Sequence, residues 1–129
     1  MAVSRVRAQV LTQAKQKVPV PVAVRALIDT GASCTCIDPG VFAKLSLSPT
    51  GKTSMITPST GATPQLADQY DVGLFIVGSA NEPPLFLPSL PVTASVLQHQ
   101  GFEALIGRDI LAKCLFTYNG DMGTFTLAF

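Results

Sequence analysis

Apolar and polar residues alternate over short stretches of this chain, and turn residues interrupt them at frequent intervals. That punctuation predicts a mainly β protein, because no segment keeps a 3.6-residue apolar period over the length of a long helix. Residues 4–11 set Val6, Ala8 and Val10 against Arg5, Arg7 and Gln9, which predicts a strand with one dry and one wet face. Residues 18–28 are a β-branched run whose Pro19 and Pro21 have no N–H for a ladder. Its start belongs at a sheet edge, and its end can be buried. Asp38 followed by Pro39 reads as an N-cap and first helical position, predicting a short helix over 39–45.

Farther on, residues 52–57 and 65–77 flank a turn of small residues, Gly and Pro at 58–64, which predicts a hairpin. Residues 78–88, with Pro83, Pro84 and Pro88, read as a loop, and 90–97 as another strand. An apolar run at 102–106 precedes a short helix at about 110–114, and the chain closes with extended segments 115–118 and 124–129. Asn119-Gly120 between alternating apolar runs is the strongest short-range hairpin signal. One internal echo stands out: Ala26-Leu27-Ile28 precedes Asp29, and Ala104-Leu105-Ile106 precedes Gly107-Arg108-Asp109. It hints at a duplicated strand-turn unit.

The length of 129 residues and a 47% hydrophobic share place the whole chain, 1–129, in a single domain with a core. Nine Lys plus Arg against eight Asp plus Glu leave a net charge of +1, with the signs scattered. Without a basic stripe, nucleic-acid and membrane-surface binding are not expected. A charged share of only 13% raises the chance of self-association. Three cysteines do not suit a secreted disulfide framework, no signal-peptide run opens the chain, and no stretch approaches the roughly 18 apolar residues of a membrane span. The expectation is a cytoplasmic protein.

The chain carries no phosphate loop, no Gly-x-Gly-x-x-Gly, no Gly-x-Ser-x-Gly elbow and no His-Glu-x-x-His. His99, between Gln98 and Gln100, reads as a solvated loop residue rather than a partner for a nucleophile. Cys34 and Cys36, with Cys114 and His99, could supply four zinc ligands, but the spacing is not a common zinc pattern, so small buried cysteines are the better reading and no metal is expected. The informative segment is Ala26-Leu-Ile-Asp-Thr-Gly-Ala-Ser33, where a carboxylate directly follows an apolar strand inside a turn of small residues. Burial without a cation raises a carboxyl pKa toward the range that acid/base chemistry uses. On its own, an Asp-Thr-Gly turn at a strand end is equally compatible with a purely structural role.

Together with Ala-Leu-Ile-Gly-Arg-Asp-Ile-Leu111 downstream, this segment resembles the retropepsin-like aspartic proteases, and looks nearest to bacterial members. The resemblance spans about residues 20–129 and implies a mainly β, closed-barrel fold with a flap hairpin and one or two short helices. It makes Asp29 the catalytic acid, with Thr30, Gly31, Ala32 and Ser33 supporting it: the Thr30 hydroxyl would tie two facing turns together, and Gly31 would contact substrate. Ile106, Gly107, Arg108 and Asp109 would be structural, and Ser59, Thr60, Gly61 and Ala62 would form the flap.

No metal or organic cofactor is implied. Only one such turn exists in the chain, so the resemblance implies a homodimer with two Asp29 carboxylates on its axis, cleaving an extended peptide or protein. A non-catalytic peptide-binding or scaffolding module on the same fold is the alternative. Three departures from viral members are visible: Ser33 stands where a second Asp usually pairs with the downstream Arg, the flap has one glycine, and the last residues look committed to an intrachain hairpin.

Overall fold

The computed structural model describes residues 1–56, 63–78 and 82–129. Its strands are β1 (Ala2–Val3), β2 (Ala26–Ile28), β3 (Cys36–Ile37), β4 (Gly51–Met55), β5 (Gln65–Ile76), β6 (Leu85–Ala94), β7 (Ala104–Ile106), β8 (Leu115–Asn119) and β9 (Thr124–Ala128). Three short α-helices join them: α1 (Arg5–Gln13), α2 (Pro39–Lys44) and α3 (Arg108–Leu111). The first seven strands form one sheet in the order β1-β5-β6-β3-β7-β2, with β4 paired to β5 off that path. The last two form a separate hairpin sheet.

The mainly β expectation holds among the described residues, but no sheet closes into a barrel. β1 and β2 end the order at opposite edges. Residues 18–25, which would have to bridge them, are not strand. Among the described residues, this stretch meets the β1 end of the sheet through a pair of 2.7 Å bonds between Met1 and Val22, and Pro19 and Pro21 have no N–H with which to extend a ladder.

A second correction concerns residues 4–11, which are helical rather than a strand. Ser4 caps α1, its hydroxyl accepting from the Arg7 N–H at 3.3 Å. Arg, Gln, Ala and Leu then supply good helix formers. The residues turned inward are Ala8 and Leu11, three apart, while Val6 and Val10 stay exposed. Val6, Ala8 and Val10 at alternate positions had mimicked a strand period.

The proline-rich loop is also shorter than its composition suggests, because β6 already starts at Leu85. Val72 pairs with Leu90 and Leu74 with Leu87, so Gly73 faces two residues, Pro88 and Ser89, in a bulge where a missing N–H is tolerated. A Cβ on Gly73 would lie 2.9 Å from the Val3 carbonyl oxygen, so glycine lets β1 lie against β5.

The core gathers Val3, Ile37, Val41, Phe42, Leu45, Val72, Leu74, Val92, Ala104, Ile106 and Ile110 between the sheet and the short helices. Phe42 of α2 stacks on Tyr70 of β5 with ring centroids 3.8 Å apart. As the sequence predicts, α2 starts at Pro39 under an Asp38 cap, β4 and β5 form an antiparallel hairpin, and β8 and β9 close around Asn119-Gly120. The helix expected at 110–114 begins two residues earlier, as α3. The internal echo has a physical meaning: β2 and β7 pair in parallel, with Ala26 beside Ala104, Leu27 beside Leu105 and Ile28 beside Ile106.

Candidate active site

Parallel pairing brings the two loops that follow β2 and β7 side by side. Asp29 leaves β2 with its N–H still bonded to the Ile106 carbonyl at 3.0 Å, so the ladder fixes where the carboxylate emerges. The side chain then folds back on its own turn: Asp29 Oδ1 accepts the Gly31 N–H at 2.8 Å. The Ala32 N–H closes the turn on the Asp29 carbonyl at 3.3 Å. Asp29 is half-buried, while Thr30, Gly31 and Ser33 are exposed. The turn therefore presents its carboxylate at the surface of the chain.

The second loop holds the first by its carbonyls. Arg108 Nη1 donates to the Thr30 oxygen at 2.9 Å and to the Gly31 oxygen at 3.1 Å. Its backbone N–H donates to the Ala32 oxygen at 2.9 Å. Three successive carbonyls of the turn thus end on one residue. The guanidinium, lacking an Asp at position 33, binds backbone oxygens instead. Arg108 is exposed, so these contacts position the turn more than they stabilise the fold.

Beneath the turn the packing leaves no slack. A Cβ on Gly107 would lie 2.6 Å from both the carbonyl carbon and oxygen of Cys34, so only glycine fits there. The Gly107 N–H reaches Thr35 Oγ1 at 3.2 Å. The Thr35 hydroxyl donates to Asp109 Oδ1 at 2.8 Å, and the Thr35 N–H donates to Asp109 Oδ2 at 2.9 Å. The Ile110 N–H adds a further bond to Asp109 Oδ1 at 2.9 Å. Both oxygens of Asp109 are occupied in holding the structure.

Thr35 is the participant that the sequence did not single out. It is 0% exposed and supplies both the acceptor for Gly107 and two donors to Asp109. The available signal was a hydroxyl in the apolar run Cys34-Thr-Cys-Ile37, since a buried polar group needs a partner and Asp109 of the structural motif had none assigned.

Sequence profiles of known families point the same way: that of an aspartyl protease family matches residues 20–110. The chain belongs to that family. Its retropepsin-like character was legible in Asp29-Thr30-Gly31 and Ile106-Gly107-Arg108-Asp109, both of which fall inside the match. No curated protein matches the chain.

In this member of the aspartyl protease family three further carboxylates are already partnered. Asp38 accepts the N–H groups of Gly40, Leu97 and Gln98. Glu103 takes the Arg25 N–H at 2.8 Å, and Asp68 pairs with Lys52 at 3.0 Å. Burial pushes the Cys36 thiol up to about 12, and the neighbouring Cys34 adds to the shift, so Cys36 is a poor nucleophile. Among the described residues, no three of His, Cys, Asp and Glu gather as a metal site, so Cys34, Cys36, Cys114 and His99 are not brought together as four ligands. No helix is long and apolar enough to cross a membrane. Ser59, Thr60, Gly61 and Ala62, the expected flap, lie outside the described residues.

Proposed function

We propose that the chain is an aspartic endopeptidase working as a homodimer, in which Asp29 of each copy supplies one half of the catalytic pair. The observation that carries this reading is the Asp29 turn itself, with Oδ1 held by the Gly31 N–H at 2.8 Å and the carbonyls of residues 30–32 held by Arg108. The turn is rigid, surface-facing and single, so a second carboxylate of the same geometry has to come from a second copy.

The chemistry follows from charge. Two carboxylates held close cannot both ionise, and they share one proton. The ionised one takes a proton from water as the water oxygen attacks the peptide carbonyl carbon. The protonated one donates toward the carbonyl oxygen as negative charge develops there. Collapse breaks the C–N bond, and the amine leaves with a proton from the pair. Thr30 and Gly31 are exposed on the turn; in this reading Thr30 would bond its twofold mate and Gly31 would meet substrate backbone.

The closing hairpin favours a paired form. Phe116, Tyr118, Phe125 and Leu127 share one face by register, yet Tyr118 is 67% and Phe125 61% exposed. A lone two-stranded hairpin is marginal in water, and Asp121 is the one charged residue among residues 115–129. Little like-charge repulsion opposes a second copy.

A peptide-holding module is the second reading, favoured by the edge position of β2, which among the described residues pairs only with β7 and leaves Leu27 46% exposed. Strand addition there would hold a peptide without cutting it. Profiling wild type and Asp29→Asn against a library of extended peptides separates the two. Cleavage by wild type alone supports the peptidase, and identical behaviour of both proteins sinks it.

A further inference from the structure

The net charge of +1 conceals a division along the chain. Residues 1–28 hold five of the nine Lys and Arg and none of the Asp or Glu, whereas residues 29–129 hold four cations and all eight carboxylates. The whole-chain balance that argued against a membrane surface therefore understates a local basic one. Helix α1 and the turn after it carry Arg5, Arg7, Lys15 and Lys17, all exposed. Among the described residues the one ion pair, Lys52–Asp68, lies elsewhere. We propose that α1 and its C-terminal turn are a docking surface for an anionic lipid bilayer, with the helix lying flat on the headgroups.

The helix frames an apolar strip with charge. Successive residues of an α-helix turn by about 100°. Buried Leu11 and half-buried Ala8 fix the inward side, and Val6 and Val10, four apart, point away from it, 64% and 50% exposed. Arg5 and Arg7 fall on the two sides of that valine strip. Long cationic side chains at its edges reach headgroup phosphates while the strip rests at the acyl boundary. Lys15 and Lys17 are tied to the end of the helix by a chain reversal, in which the Gln16 N–H donates to the Leu11 carbonyl at 2.8 Å and the Lys15 N–H to the Thr12 carbonyl at 3.0 Å. Lys15 takes the left-handed position of this cap, with φ 55°, so a cation stands where backbone preference alone favours glycine.

Charge and apolarity together select the partner. A nucleic-acid backbone rewards the cations and leaves the two valines in water, and an acidic protein segment does the same. An anionic bilayer takes both. Each Lys or Arg close to such a leaflet strengthens binding about fivefold, so four of them hold a short helix whose apolar strip is narrow.

The test is cosedimentation of the full chain with vesicles of phosphatidylcholine alone and of phosphatidylcholine with about 30% phosphatidylserine. Partition onto the second kind only is expected, falling as salt screens the charges. Arg5→Gln combined with Arg7→Gln should weaken it about 25-fold, and Val6→Gln combined with Val10→Gln about fivefold at unchanged charge. Both pairs lie at exposed positions and should keep the wild-type circular dichroism. Lys44→Gln combined with Lys113→Gln makes the same charge change elsewhere and should bind as wild type. Equal partition onto the two vesicle types, no partition onto either, wild-type partition by the folded arginine or valine pair, or an equal loss in the Lys44 and Lys113 pair would each overturn the assignment. So would tighter binding of an RNA oligonucleotide or polyglutamate than of the vesicles, since it would make the face a site for a polyanion.

Discussion

Thr35 and Asp109, 74 residues apart in sequence, meet through two hydrogen bonds of 2.9 and 2.8 Å that join the segment after the active turn to the start of α3. The same Thr35 hydroxyl accepts the Gly107 N–H, so one buried side chain closes the circuit between both motifs. Thr35→Val keeps the shape but orphans the Gly107 N–H and takes one of two donors from Asp109 Oδ1. Chemical denaturation should show a loss of about 2–4 kcal/mol, with Thr35→Ser losing less than half of that. Equal losses for the two variants would mean that the methyl, not the hydroxyl, matters.

Gly107 tests the packing beneath the turn. A methyl there meets the Cys34 backbone at 2.6 Å, and neither partner is a flexible side-chain end that could move aside. Gly107→Ala should cost about 3 kcal/mol or more. Gly51 has nothing within 4 Å of its hypothetical Cβ, so Gly51→Ala should leave the denaturation midpoint near that of wild type.

Asp38 predicts a share of the acid sensitivity. Burial alone would raise its pKa, but the N–H groups of Leu97, Gly40 and Gln98 outweigh it and hold the carboxyl below its ordinary value. A folded-state pKa below the unfolded one stabilises the fold above the unfolded value near 3.9, and that contribution fades as pH falls through the folded value. Wild type should therefore lose more stability than Asp38→Asn between pH 6 and about pH 3. Parallel acid limbs for the two proteins would contradict this.

The aromatic face of the closing hairpin predicts a dimer seam. Tyr118→Lys combined with Phe125→Lys places like charges on the exposed face and should give a folded monomer in sedimentation, with peptide cleavage lost. A dimer that survives both substitutions would move the seam elsewhere.

The sequence made the two motifs legible because each is local: Asp29-Thr30-Gly31 and Gly107-Arg108-Asp109 need no partner to be recognised. What joins them is not local. Thr35 reveals its role only when β2 and β7 pair, and the echo of Ala-Leu-Ile was the one trace of that pairing in the chain. Residues 4–11 misled because Val6, Ala8 and Val10 carry a strand period while a capping Ser4 and good helix formers decide the backbone. Closure of the barrel failed where Pro19 and Pro21 withhold donors, a local fact whose consequence depended on which strands reached the sheet edges.

The central claim is that one active centre is shared between two copies through Asp29. The direct measurement is the cleavage rate of a fixed amount of wild type as Asp29→Asn protein is added and allowed to exchange. Random pairing leaves wild-type pairs at about half their original number when the two proteins are equal, and at about a quarter when the variant is in threefold excess. The rate should follow that decline. A rate that stays constant as the variant is added would contradict a shared site.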